Sequence, residues 1–162
     1  PGSVDIWIAA LLQVSEDDDP VKLVTMMEKA MQSLERHGAA LSRDAWQKRA
    51  CEVEKKNGNL SAARAIATAT LALGLPPVAK KKKECRKAWT LDAERAAAEG
   101  CPTVARAIFD GALERLPARK TLWLAAIQFE RQRLDSPERM GALLDGAVKH
   151  CPRVTVFWLM FA

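Results

Sequence analysis

Tryptophan recurs in this chain with the beat of a structural repeat. Five stand at Trp7, Trp46, Trp89, Trp123 and Trp158, separated by 39, 43, 34 and 35 residues. An interval of about 34–47 residues is what helical hairpin repeats use. Other residues keep the same beat. Four positions after the first four tryptophans stand Leu11, Ala50, Ala93 and Ile127. A second landmark follows 23 or 24 positions after each Trp: Ala30, Thr70, Ala112 and Ala147. Four residues before it come Met26, Ile66, Ile108 and Leu143, and one residue after it Met31, Leu71, Leu113 and Val148. Such offsets trace one stripe along a helix with a period of about 3.6. Each unit is therefore a helix A bearing Trp, a turn, and a helix B bearing the small residue. The reading makes these nine landmarks, five Trp and four small residues, the repeat core.

Helix boundaries follow from turn chemistry. Asp19-Pro20 and Ser136-Pro137 place a capping residue before Pro at the first helical position, and Cys101-Pro102 does so more weakly. Asn57-Gly58-Asn59 stops the second A helix, and Ser42 starts it. Pro117 and Pro152 each lie six residues before a Trp. The predicted helices are 4–16, 20–37, 43–57, 60–74, 84–99, 102–116, 119–133, 137–150 and one from 154. Repeat length varies only between helix B and the next Trp, at 16, 19, 11 and 11 residues. Loops in a stacked array tolerate such insertions. Pro1-Gly2-Ser3 reads as the remnant of a cleaved tag, leaving 4–162 as about four and a half repeats of a longer array. Val154 to Ala162 carry no charge, so self-association through the truncated end is expected.

Composition agrees. Ala and Leu exceed a quarter of the residues and Tyr is absent, which favours helix over sheet. With 49% apolar and 28% charged residues the chain is globular, and a net charge of +5 permits nucleic acid without requiring it. The longest uncharged stretch, 65–79, contains Gly74, Pro76 and Pro77 and is a poor membrane span. Cys51, Cys85, Cys101 and Cys151 form no CxxC pair, so neither a zinc site nor any other metal site is expected, and the thiols read as reduced.

Catalytic chemistry is hard to assemble from these residues. His37 and His150 each fall at the end of a B helix, where a cation suits the dipole. No glycine-rich phosphate loop is present, and Gly111, Gly141 and Gly146 read as close-packing positions within B helices. Catalytic, cofactor-binding and metal-binding residues are all expected to be none. Arg64 and Arg106 read as structural ion pairs or solvated positions rather than carboxylate binders. The acidic run Glu16 to Asp19 reads as a helix-start region. One dense basic patch remains: Lys80, Lys81, Lys82, Lys83, Arg86 and Lys87. It offers phosphate contact or a nuclear import signal, against the plainer reading of a solvated loop without an interleaved aromatic.

The units resemble the half-a-tetratricopeptide (HAT) repeat of RNA-processing proteins. Trp123 with Phe129-Glu130 matches its helix A, and Ala105-Arg106-Ala107 with Ala112-Leu113 and Pro117 matches its helix B. The fourth repeat departs, with Met140-Gly141 where Ala-Arg is expected, and the first repeat lacks the Arg as well. Three strings are similar to the pre-mRNA-processing factor 6 family. One runs from Glu28-Lys29-Ala30 through Ser42-Arg43-Asp44 to Trp46. The second is Lys120-Thr121-Leu122-Trp123-Leu124-Ala125-Ala126, and the third is Leu143-Leu144, Ala147-Val148, His150-Cys151-Pro152 and Trp158-Leu159-Met160. The resemblance implies an all-α, right-handed superhelical array of antiparallel hairpins, a HAT/TPR-like α-solenoid. It further implies a nuclear, non-enzymatic scaffold of the spliceosomal tri-snRNP, with no cofactor. Its partners would be other spliceosomal snRNP proteins, and RNA contact would be secondary. The alternatives are a HAT segment of another RNA-processing complex, such as 3′-end cleavage, or a direct RNA-binding module.

Overall fold

A computed structural model describes residues 2–13 and 19–161, and among them the regular structure is all helical. The helices are α1 (Val4–Gln13), α2 (Pro20–Arg36), α3 (Arg43–Glu52), α4 (Leu60–Ala69), α5 (Lys82–Ala98), α6 (Pro102–Arg115), α7 (Lys120–Arg133), α8 (Pro137–His150) and α9 (Thr155–Phe161). They alternate as the A and B helices of the repeat. Residues 14–16 of the first predicted helix, and 16–18 of the acidic run, lie outside the described residues. Two compact units, Pro1–Ile108 and Phe109–Ala162, are described separately.

In the first unit α1 packs on α2, α2 on α4, and α3 on both α4 and α5. The landmarks Ala30, Trp46, Thr70 and Trp89, with Ala50, Ile66, Leu71 and Ala93, are buried, whereas the stripe residues Met26 and Met31 of the first B helix are half-buried and the neighbouring Met27 takes the core position. Burying a large apolar side chain contributes about 1.5–3 kcal/mol, so this stripe drives the helices together. Caps set the boundaries. Asp19 accepts the Val21 N–H at 3.0 Å, Ser42 that of Ala45 at 3.3 Å, and Asn59 that of Ala62 at 2.9 Å. Gly58, at φ +63°, takes the left-handed turn between Asn57 and Asn59.

Three boundaries differ from the sequence expectation. The second A helix is α-helical only to Glu52 and then makes a π-helical turn, Val53–Asn57. The second B helix ends at Ala69 rather than near residue 74. There the Thr70 hydroxyl donates to the Ile66 carbonyl, and the N–H groups of Leu73 and Leu75 reach only three residues back, tightening the chain into successive turns. The third A helix starts two residues early, at Lys82. The Pro77 carbonyl accepts the N–H groups of Lys80 and Lys81, so the basic run itself turns into the helix.

In the second unit α7 packs on α8 and α8 on α9. Its core holds Phe109, Ala112, Leu113, Leu122, Trp123, Ala126, Ile127, Leu143, Ala147 and Phe157. Gly146 lies against Trp123, as close packing predicts, but Gly141 faces open space, so packing does not explain it. The expected cap at Ser136 makes no side-chain bond to the helix. Helix α7 ends on Leu134, a non-glycine residue at φ +57° whose N–H donates to the Glu130 carbonyl at 3.0 Å.

Candidate functional site

The tryptophans differ in what they do. Trp46 and Trp89 are fully buried, and the Trp89 indole N–H donates to the Leu71 carbonyl at 2.9 Å, tying this A helix to the end of the preceding B segment. Trp123 is buried, and its N–H donates to the Pro117 carbonyl at 2.8 Å. The His150 ring stacks on it at 5.8 Å between centroids and 14° between planes. Trp158 repeats the geometry, donating to the Pro152 carbonyl at 2.9 Å. Yet Trp158 is 49% exposed, so the periodic expectation of a core position is corrected here. The physical reason is that α9 packs on α8 with Phe157 fully buried, which leaves half of Trp158 in solvent. Trp7 is half-buried and borders an open groove with Val21, Lys22, Thr25, Met26 and Lys29. The landmarks Ala30, Thr70, Ala112 and Ala147 are buried.

Buried and half-buried charges are paired inside each unit. Asp92, only 3% exposed, accepts from Arg43 Nε at 2.8 Å and from Gln47 Nε2 at 2.9 Å, while Arg43 Nη1 donates to the Leu73 carbonyl. Glu54 accepts the N–H groups of Thr103 and Val104 at 3.0 and 3.1 Å, capping the start of α6 from the π-helical turn. In the second unit Arg139 donates Nε to Glu130 at 2.6 Å and Nη2 to Asp110 at 2.7 Å. Burial pulls the Arg139 guanidinium pKa down, but hydrogen bonds and charge from Asp110 and Glu130 leave it raised overall. Arg139 stands two residues before Gly141, which occupies the place where the HAT pattern expects Arg. Arg64 and Arg106 both have interaction partners.

The two histidines fall in different units. His37 Nδ1 donates to the Ser33 carbonyl at 2.7 Å, and His150 stacks on Trp123. Cys85 donates to the Pro76 carbonyl and Cys151 to that of Pro117. Burial pushes the Cys51, Cys101 and Cys151 thiols above their usual range. Raised thiol pKa values are the opposite of what a nucleophile needs.

The basic residues lie where α5 begins. Lys80 to Lys83 and Lys87 are exposed, and Arg86 is half-buried and engaged. Lys81 Nζ pairs with Glu84 at 2.6 Å, and the hydrogen bond raises its pKa. Lys82 and Lys83 occupy the first helical turn, where the helix dipole disfavours cations.

No protein-family model matches the chain. It is 30% identical over 128 residues to pre-mRNA-splicing factor prp1 of Schizosaccharomyces pombe, covering 78% of this chain and 13% of that protein. It is also 30% identical over 101 residues to human pre-mRNA-processing factor 6, covering 62% of this chain and 10% of that protein. The chain thus spans about an eighth or less of these curated relatives.

Sequence reasoning missed several residues with structural roles. Glu54, Asp92 and Arg139 carry no motif; such a charge becomes visible only when its partner, 29 to 50 residues away, is placed beside it. The signal for Glu130 was present in the Phe129-Glu130 pair. Cys51 and Cys101 also went unpaired in the sequence reading, although the fold brings their sulfurs together with the Glu99 carboxylate.

Proposed function

We propose that this chain is part of a pre-mRNA splicing factor and acts there as a non-enzymatic protein–protein scaffold. Residues 4–162 make about four and a half HAT repeats, and the chain bridges components of the spliceosomal tri-snRNP in the nucleus. The observation that carries this reading is the 128-residue similarity to a splicing factor, read on a fold made of helical hairpins. The pairing of the buried Asp92 and Glu130 carboxylates inside the fold supports it, since charges held in structural pairs serve to hold shape. Its partners are other spliceosomal proteins.

The test is recovery from nuclear extract. The immobilised chain should capture tri-snRNP proteins, and capture should persist after nuclease treatment because protein contacts do not need RNA. Loss of capture with nuclease would replace this reading with direct RNA binding, for which the exposed lysines at the start of α5 are the specific supporting feature.

A further inference from the structure

Cys51 stands in the last turn of a Trp-bearing A helix, one residue before its end at Glu52, and Cys101 precedes Pro102 at the start of the next B helix. They stand 50 residues apart in sequence. In the fold the two sulfurs and a Glu99 carboxylate oxygen all lie within 4.8 Å of one another. A tetrahedral cation with Zn–S bonds of about 2.3 Å and a Zn–O bond of about 2.0 Å needs ligand separations of roughly 3.5–3.8 Å. The three donors are thus within a small side-chain movement of that geometry.

The surroundings hold the donors in place. Glu54 ties the π-helical turn after Cys51 to the first N–H groups after Cys101 and Pro102. That turn is a single one, Val53–Asn57, and isolated π turns occur frequently at functional sites. The Cys101 thiol lies 3.9 Å from the Cys51 carbonyl and 3.8 Å from that of Glu99, long contacts that a metal bond can replace. An open cleft lined by Lys48, Cys51, Glu52, Lys55, Lys56 and Glu99 leads from solvent to two of the donors, Cys51 and Glu99, while Cys101 is fully buried. Its lysines would offset the excess negative charge of two thiolates and a carboxylate.

We propose that Cys51, Cys101 and Glu99 form a three-ligand site for a thiophilic divalent cation of the zinc class, with water as the fourth ligand. Two thiolates select soft or borderline cations over magnesium and calcium. Binding forms two metal–sulfur bonds and one metal–oxygen bond, and the two thiol protons leave to solvent. The bound cation would clamp the end of one A helix to the turn before the B helix of the following repeat. This site goes beyond the scaffold reading and does not depend on it.

Cobalt(II) chloride, titrated into the reduced chain, is the probe. One equivalent should produce a thiolate-to-cobalt charge-transfer band with tetrahedral d–d absorption, and zinc chloride should displace it. Cys51→Ala and Cys101→Ala should each abolish the band, whereas Cys85→Ala and Cys151→Ala should keep it. Glu99 is exposed, so Glu99→Gln should fold as the parent and weaken cobalt binding by about 10–100-fold, no less than loss of an outer-shell partner does. If the buried cysteine variants lose helicity, the unaltered chain still decides. Zinc should slow iodoacetamide labelling of Cys51 and Cys101 and leave the labelling rates of Cys85 and Cys151 unchanged. Absence of the band, its survival without Cys51 or Cys101, unchanged affinity in Glu99→Gln, or protection of the wrong thiols would each overturn the site. Oxidant-driven cross-linking of Cys51 to Cys101 in a chain that binds no cobalt would make the pair a redox couple instead.

Discussion

The indole of Trp123 covers Gly146 so closely that a β-carbon on residue 146 would sit 2.6 Å from Trp123 Cη2 and 2.8 Å from Cζ3. A ring packed on one face by His150 has little room to yield. Gly146→Ala should therefore destabilise the chain by about 1–3 kcal/mol, the usual cost of overpacking. Gly141, in the same helix, meets nothing within 4 Å. Gly141→Ala should stabilise by up to about 1 kcal/mol through helix propensity. Urea unfolding of both variants checks the opposite signs; equal signs would refute the packing role of Gly146.

Trp89 combines full burial with a hydrogen bond to the Leu71 carbonyl. Trp89→Ala should cost about 3–5 kcal/mol, as for large core truncations. Trp89→Phe keeps most of the apolar contact and loses the donor, so it should cost less. A smaller loss in Ala than in Phe would contradict this account.

Arg139 neutralises Glu130, whose side chain is 1% exposed, while keeping 24% of its own side chain exposed. Arg139→Ala should cost about 1.5–3 kcal/mol, the range for a hydrogen bond to a charged group, because it removes the Nε–H bond to a buried carboxylate. Adding Glu130→Leu to Arg139→Met should cost less than the two single changes summed. A double-mutant cycle in denaturant measures the coupling, and strict additivity would dismiss it.

Leu134 ends α7 in the left-handed region while 82% exposed, so its side chain offers little packing to offset the strain. Leu134→Gly should raise stability by about 1 kcal/mol, the cost of that conformation for a residue with a β-carbon. Thermal unfolding reads this directly, and a lower Tm would show that the side chain is needed.

The Cys51, Cys101 and Cys151 thiols have raised pKa values, chiefly from burial. A raised folded-state value means that stability is intact below the unfolded thiol pKa. It falls above about pH 8.5, where only the unfolded chain loses the proton. Denaturant midpoints should decline from that pH upward, and Cys51→Ala should flatten the decline. A midpoint that rises with pH would reverse the sign and reject the explanation.

Replacing Lys80 to Lys83 by Ser should leave stability within about 0.5 kcal/mol, as for exposed positions. RNA affinity should be weak before and after the change. If the lysines hold RNA, log affinity should fall with log salt by about 0.7 per phosphate contacted on a single strand. A salt-steep, micromolar interaction lost in the variant would put the RNA-binding reading first.

The sequence by itself determined the helices and their order. Period, caps and prolines are local signals, and they located α2, α6, α7 and α8 to within a residue at each end. The small landmarks Ala30, Ala112 and Ala147 were legible because one apolar stripe on a helix has one way to be buried. Tertiary structure decided what depends on a neighbour. Trp158 carries the same local pattern as Trp123 and is exposed, because α9 buries Phe157 and not Trp158. The π turn at Val53–Asn57 has no helix-propensity signature; its Glu54 is drawn to the N–H groups that open α6. Cys51, Glu99 and Cys101 looked unrelated for want of a CxxC spacing, and came together because hairpin packing sets the end of one A helix beside the next repeat's A-to-B turn. Spacing along a chain encodes partners only a few residues apart, whereas donors about 50 residues apart meet only when the helices between them have packed.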